Sequence, residues 1–183
     1  NLVRFSDGEK IKAFVTLREF NPNQNIVMCT RNSLIKKTPL TAYSHPRSNG
    51  IRAIKLLDGD ELIDARISSA GDHVLLATRW GYNNRFDESE ARAMGRNTKG
   101  VRGIRLRDDD YVISMAVINA EYIKENGDEA DNLPNLLAIS ENGYGKRSPI
   151  SAYPVNVHRG GKGVITMNTS ARNGKMVALM LVT

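Results

Sequence analysis

The sequence predicts an all-β, propeller-like protein built of four-stranded repeat units, and three observations carry that prediction. Stretches of the chain align with one another at a period near 50 residues: GIRAIKLLDGDELIDARI from Gly50, GVRGIRLRDDDYVISMAV from Gly100 and GVITMNTSARNGKMVALMLV from Gly163. The opening NLVRFSDGEKIKAFVTL is a fourth copy without its leading glycine. Each copy holds an apolar-rich run, a turn pair (Asp7-Gly8, Asp58-Gly59, Asp108-Asp109 or Asn173-Gly174) and a second apolar run. Asp-Gly and Asn-Gly between strand-like runs signal a hairpin, because a type I′ turn needs positive φ at both central residues. No convincing helical period interrupts the pattern, and ESEARAMG supplies one turn at most.

The rest of each unit repeats as well. NIVMCTRNSLIKKTPLTAY (25–43), HVLLATRWGYNNRFDESEA (73–91) and NLLAISENGYGKRSPISAY (135–153) superimpose. Each is an apolar run, a turn centred on Ser33, Gly81 or Gly143, and a more polar strand. One unit is therefore four short strands over roughly 50 residues, the signature of propeller blades, in which stacked neighbours supply the core. The units run 1–49, 50–99, 100–162 and a partial 163–183, about three and a half blades in one repeat domain covering 1–183. Asp108-Asp109 is the weakest turn pair, and a longer loop is expected there. A chain that opens without Met and stops inside an apolar stretch is expected to be a piece of something longer.

Composition narrows the function. No run of eighteen apolar residues is present, so no helix is expected to span a membrane. The single cysteine, Cys29, sits in the apolar run NIVMCT and reads as a buried structural residue of a reducing compartment. The net charge is +6, while the acidic stretch 119–134 carries −4, so the other residues carry +10. That excess suggests a polyanionic partner, and the acidic stretch reads as a loop.

Catalytic motifs are missing. Around Lys162 a phosphate-binding P-loop would need glycine at Asn156 and Ser or Thr at Gly163. Gly143-Tyr144-Gly145 lacks the third glycine of a dinucleotide fingerprint. His45, His73 and His158 are scattered one per unit without ligand spacing, so zinc is not expected. Asp108-Asp109-Asp110 reads as a solvated turn rather than a cation site. No catalytic residue, metal or cofactor is assigned to this segment.

The basic residues recur in register. Lys37, Arg85 and Arg147 align just after the hairpin turn, with Lys36 and Lys146 beside two of them. Arg52 aligns with Arg102 and Lys55 with Arg105, and ahead of the leading glycines sit Arg47, then Arg96 and Lys99, then Arg159 and Lys162. Equivalent positions of a propeller share one rim, so these fourteen residues are expected to form a belt that holds phosphates without reading bases. Arg52 and Lys55, like Arg102 and Arg105, are three apart. In a regular strand they would face opposite sides, so a bulge at Ala53 and Gly103, or a place between blades for one of each pair, is expected. The residues after the hairpin turn are thus the stronger candidates.

ARAMGRNTKGVRGIRL (91–106), IRAIKLLDGDELIDARI (51–67), IKKTPLTAY (35–43) and NGYGKRSPISAYP (142–154) closely resemble the C-terminal domain of the DNA gyrase A subunit. The resemblance covers nearly the whole chain. It implies a β-pinwheel, a propeller variant whose blades exchange strands, and the wrapping of double-stranded DNA around a basic rim in support of negative supercoiling. It further implies as partners the remainder of the A subunit and the B subunit in an A2B2 complex. ATP and Mg are implied elsewhere in that assembly, together with a bacterial cytoplasmic, nucleoid-associated setting. The family's Q-R-R-G-G-K-G box is matched only in part: VHRGGKG (157–163) keeps its last five positions, with Val157 and His158 in place of Gln and Arg. It reads as a box-like variant of the recurring blade junction. The corresponding domain of topoisomerase IV, and a propeller serving as a protein-interaction scaffold, are the alternatives.

Overall fold

The computed structural model describes residues 7–126 and 134–182. Its strands are β1 Gln24–Thr30, β2 Leu34–Pro39, β3 Leu62–Ser69, β4 His73–Thr78, β5 Tyr82–Asp87 and β6 Val101–Arg102. They continue with β7 Val112–Ile118, β8 Asn135–Ser140, β9 Gly145–Pro149, β10 Val155–Asn156, β11 Val164–Ile165 and β12 Met176–Val182. The sheets run β3-β1-β2-β6, then β10-β5-β4-β7 with β11 also on β5, then β12-β8-β9.

The three tight hairpins, β1-β2, β4-β5 and β8-β9, form where the sequence places them. Their turns share one design. The amides of Ser33, Gly81 and Gly143 donate to the carbonyls of Thr30, Thr78 and Ser140, at 3.0 Å in each case. Those third residues carry positive φ of 69°, 80° and 80°, the arrangement of a turn closed by a left-handed residue. Thr30 Oγ1 and Thr78 Oγ1 then accept the amides of Leu34 and Tyr82.

The Asp-Gly signals resolve differently. The chain turns at Asp58-Gly59, where Asp60 N donates to Leu57 O at 3.0 Å, but the runs on either side do not pair. Residues 51–57 form no strand, and β3 instead joins β1 of the unit before it. In the same way β7 joins β4 and β12 joins β8. The short strands reach further back, β6 to β2 and β11 to β5. Each hairpin therefore takes its long strand from the next sequence unit, and the first two take a short strand from the unit after that. Residues 163–183 build no sheet of their own, since β11 enters the second sheet and β12 the third. This is the strand exchange that the resemblance implied.

At Asp108-Asp109 no longer loop is needed. Asp109 itself takes the left-handed conformation, φ 57°, and Asp110 N donates to Arg107 O at 3.2 Å. Asp110 turns inward, where Oδ1 accepts from Trp80 N and Tyr111 N, and Asp60 does the same for Asn32 N and Glu61 N. Two aspartates thus tie the hairpin turn to the strand arriving from the next unit.

The core fills the gaps between sheets. Val27, Cys29, Ile35, Val74, Leu76, Phe86, Ile104 and Val112 pack between the first and second sheets. Leu75, Ala77, Ala116, Leu136, Ala138, Ile150, Met176 and Leu179 pack between the second and third. β4 explains its unbroken apolar run: Val74 and Leu76 face one core while Leu75 and Ala77 face the other, so both faces are buried. Cys29 is fully buried, and burial together with the nearby Asp64 pushes its thiol pKa up, which makes it unreactive. β7 lies alongside both β3 and β12, so these long strands share the edge opposite the short strands.

One helix was not visible in the sequence. Part of the acidic stretch read as a loop forms α1, Ala120–Asn126. Asp72, almost fully buried, accepts the amide of Ala120 at 2.9 Å and so caps the helix from a distant turn. The remainder of the stretch, 127–133, lies outside the described residues.

Two of the three leading glycines of the repeat, Gly100 and Gly163, have a steric cause, while Gly50 has open space around it. Gly100 and Gly163 have φ of 92° and 70°, and a Cβ on either would fall on the carbonyl oxygen of Ile35 or Asn83 in the strand they cross. Gly163→Ala is therefore expected to destabilise the chain by about 2–4 kcal/mol, from backbone strain plus overlap with atoms that cannot move aside. Gly59→Ala, with φ 74° and open space around it, should lose only about 1 kcal/mol. Urea unfolding of the two variants checks the difference, and equal losses would refute the close-approach argument.

Candidate nucleic-acid interface

Three segments link the sheets along the edge opposite β3, β7 and β12: residues 44–57, 92–107 and 154–165. Each runs over the next. Lys55 N donates to Thr98 O at 3.0 Å, and Arg105 N, fifty residues on, donates to Gly161 O at 2.8 Å. Gly160 N adds a bond to Gly103 O at 2.8 Å. The junctions thus overlap like tiles and form a band of main chain along that edge.

Most of the predicted cations lie on that band. Arg47, Arg52, Lys55, Lys99, Arg102, Arg105 and Lys162 are exposed, and Arg96 and Arg159 are half-buried. Arg52 and Lys55 both reach solvent, as do Arg102 and Arg105, because the chain is not a regular strand there. β6 ends at Arg102 and the backbone bends at Gly103, whose missing side chain lets it sit directly against Leu76 and Ile35. Both residues of each pair are exposed, as a bulge at Ala53 and Gly103 would have made them, but through a chain that is not in a strand there rather than through a bulge.

The residues after the hairpin turn are where the structure corrects the sequence reading. Lys36, Lys37 and Arg85 are buried, with relative exposures of 0%, 7% and 1%, so they are not part of the outer band. Lys36 Nζ donates to Ala53 O at 2.6 Å and Thr38 Oγ1 at 2.8 Å, fastening the first junction onto β2. Asn84 holds the same register place in β5 and donates to Gly103 O at 2.8 Å. Burial first, and the charge of Arg96 second, lower the Lys36 ammonium pKa to about 8.

Lys37 reaches into the next sheet's 3-10 turn, donating to Glu88 O at 3.1 Å and pairing with the Glu88 carboxylate. Arg85 makes the equivalent reach, from Nη1 to Ile150 O at 3.1 Å and Tyr153 O at 3.0 Å, with Nε bonded to His73 Nδ1. A basic residue recurs here because it clasps one blade to the next. Lys146 and Arg147 hold these register places in β9 and are exposed.

The junction after β9 carries VHRGGKG. Arg159 Nε donates to Glu90 O and Nη1 to Arg102 O, both at 2.9 Å. Gly160 and Gly163 are held by the crossing and by Asn83, and of this stretch's two strong cations Lys162 is the exposed one.

Two exposed arginines of the junction segments were missed. Arg107 stacks over the Tyr82 ring, 3.1 Å from its centroid, and Nη1 donates to Lys162 O. Arg92 lies exposed at the start of the second junction. Their register partners are Leu57 for Arg107, and Ser44 and Pro154 for Arg92, so recurrence had no signal to find them by. No group of three or more His, Cys, Asp or Glu able to hold a metal ion occurs among the described residues, and no helix there is long and apolar enough to cross a membrane.

Comparison with known proteins adds a family. A family model described as the DNA gyrase C-terminal domain, beta-propeller, matches residues 24–69, 72–119 and 134–183. Those three spans each hold one hairpin and the long strand it pairs with. The DNA gyrase A subunit of Deinococcus deserti is 44% identical over 175 residues, covering 94% of this chain and 20% of that protein. The Escherichia coli A subunit is 41% identical over 182 residues, covering 100% and 19%. The chain thus spans about one fifth of the length of these relatives. Among solved structures, a DNA gyrase A C-terminal domain superimposes with TM-score 0.81 at 25% identity, covering 100% of this chain and 57% of that one. The C-terminal domain of a DNA topoisomerase IV has the same fold, with TM-score 0.78 at 23% identity over 91% of this chain and 49% of its own.

Proposed function

The chain belongs to the family of DNA gyrase C-terminal domains, and from that premise we propose that it binds double-stranded DNA without reading sequence and wraps it along the junction band. In this reading it supports negative supercoiling by a bacterial gyrase, joined to the rest of the A subunit and to the B subunit in an A2B2 complex. Catalysis, ATP and Mg belong to other parts of that assembly, which works in the cytoplasm on the nucleoid.

The observation that carries the proposal is the overlap of successive junctions. Arg52, Lys55, Arg102, Arg105 and Lys162 stand exposed on those junctions, which supports a shared phosphate-binding band. Lys and Arg on such a band hold phosphates and set the register of the duplex while leaving bases unread. A duplex following the band must bend, at a cost of order 1–6 kcal/mol over 20–30 bp, which several phosphate contacts offset.

Binding of this chain to long and short duplexes across a salt series tests the reading. Wrapping predicts tighter binding to the longer duplex and a steep linear fall of log K with log salt, by about 0.9 for each phosphate neutralised. A protein-interaction scaffold with a merely solvated rim would show neither length preference nor slope.

A further inference from the structure

The two junction crossings occupy equivalent places in the repeat and are built differently. At the second crossing Arg159, four residues before Gly163, is latched onto main-chain carbonyls of Glu90 and Arg102. At the first crossing Arg96, four residues before Gly100, lines a groove instead. Arg47 and Arg52 line the same groove, of about 340 Å³, with Asn49 and Asn97 in its walls. The turn that brings the first two there is closed by Gly50, at φ 76°, whose amide donates to Arg47 O at 2.9 Å.

No acidic residue lines this groove. Among the described residues none of its three guanidiniums lies within ion-pairing reach of a carboxylate. The positive charge continues beneath it, since Arg96 is close enough to lower the pKa of the buried Lys36. Three like charges in one concavity repel each other, and an anion seated among them relieves that repulsion. Guanidinium suits the task, because its planar fork matches two oxygens of a phosphate.

We propose that this groove seats a single backbone phosphate of duplex DNA, shared by Arg47, Arg52 and Arg96. The inference rests on the reading that the junction band binds DNA and adds that the band is not uniform. One phosphate is held by three charges at the first crossing, whereas the second crossing offers Lys162 and Arg102 as separate contacts. The seat then fixes where the duplex sits along the band.

Salt titrations of DNA binding by R47A, R52A, R96A and the triple variant decide the matter. A shared phosphate predicts that each single variant binds severalfold more weakly with the slope changed by well under one unit. The triple variant should lose about one unit, the worth of one phosphate. A loss near three units would mean three separate phosphates, and an unchanged affinity would mean an unused groove. Either result overturns the seat while the binding reading stands. An unmodified chain with no salt-dependent binding would overturn both. Should the alanine triple melt early by circular dichroism, the glutamine triple, which keeps the aliphatic stem and a polar head without the charge, is read by the same outcomes.

Discussion

Arg85→Met is expected to destabilise the chain by about 3–5 kcal/mol while leaving the salt slope of DNA binding unchanged. The side chain is of similar volume, so what is lost is chemistry rather than packing. Tyr153 O, in a buried residue, would lose the Arg85 donor, and Ile150 O would keep only the amide of Tyr153 at 2.9 Å. Each hydrogen bond to the charged guanidinium is worth about 1.5–3 kcal/mol. The clasp to the third sheet would weaken with them, so the cooperative unit shrinks as well as softens.

Lys37→Met removes the equivalent clasp one blade earlier and is worse placed, because it strands the Glu88 carboxylate, 6% exposed, without its partner. Urea unfolding gives the stability of both variants, and a salt titration of the folded protein gives the slope. A variant with native stability and a slope reduced by about one unit would show that these two side chains reach phosphates after all.

The sequence made the hairpins legible and their partners illegible, for the same reason. A three-residue turn is local: Ser33, Gly81 and Gly143 announce themselves within a dozen residues, and their left-handed conformations follow. Which long strand each hairpin recruits is not local. The run before Asp58-Gly59 and the run after it look alike as strands, and nothing within them says that β3 belongs to β1 while residues 51–57 pair with neither.

The same distance effect misplaced the cations. A lysine in the polar strand of a hairpin reads as solvated unless its acceptor is known, and Lys37 finds its acceptor at Glu88, 51 residues away. Recurrence in register did mark Lys36, Lys37 and Arg85 as important. It could not tell a position that recurs because every blade must be clasped from one that recurs because every blade must touch DNA. Arg52, Lys55, Arg102 and Arg105 rank lower on sequence because of their spacing of three, a doubt that assumes a regular strand where the bend at Gly103 puts Arg102 and Arg105 both outside.

That distinction makes the replacement of Lys55, Arg102, Arg105 and Lys162 together by alanine the counterpart experiment. All four are exposed on the junction band, with no ion pair to a carboxylate among the described residues. Surface truncations of this kind usually change stability by no more than about 0.5 kcal/mol each. The fold should therefore survive, as the main-chain bonds that hold the crossings, Lys55 N to Thr98 O and Arg105 N to Gly161 O, do not involve these side chains. If each contacts its own phosphate, the slope of log K against log salt falls by about 3.6 units, and affinity at 0.1 M salt drops on the order of 10³-fold. Near 1 M salt the variant and the unmodified chain should bind almost equally, because counterion release has then lost its driving force. The band accordingly predicts a loss that salt erases. A loss that persisted undiminished at high salt would point to contacts other than phosphates, and a slope lowered by less than one unit would place the DNA on another face of the molecule.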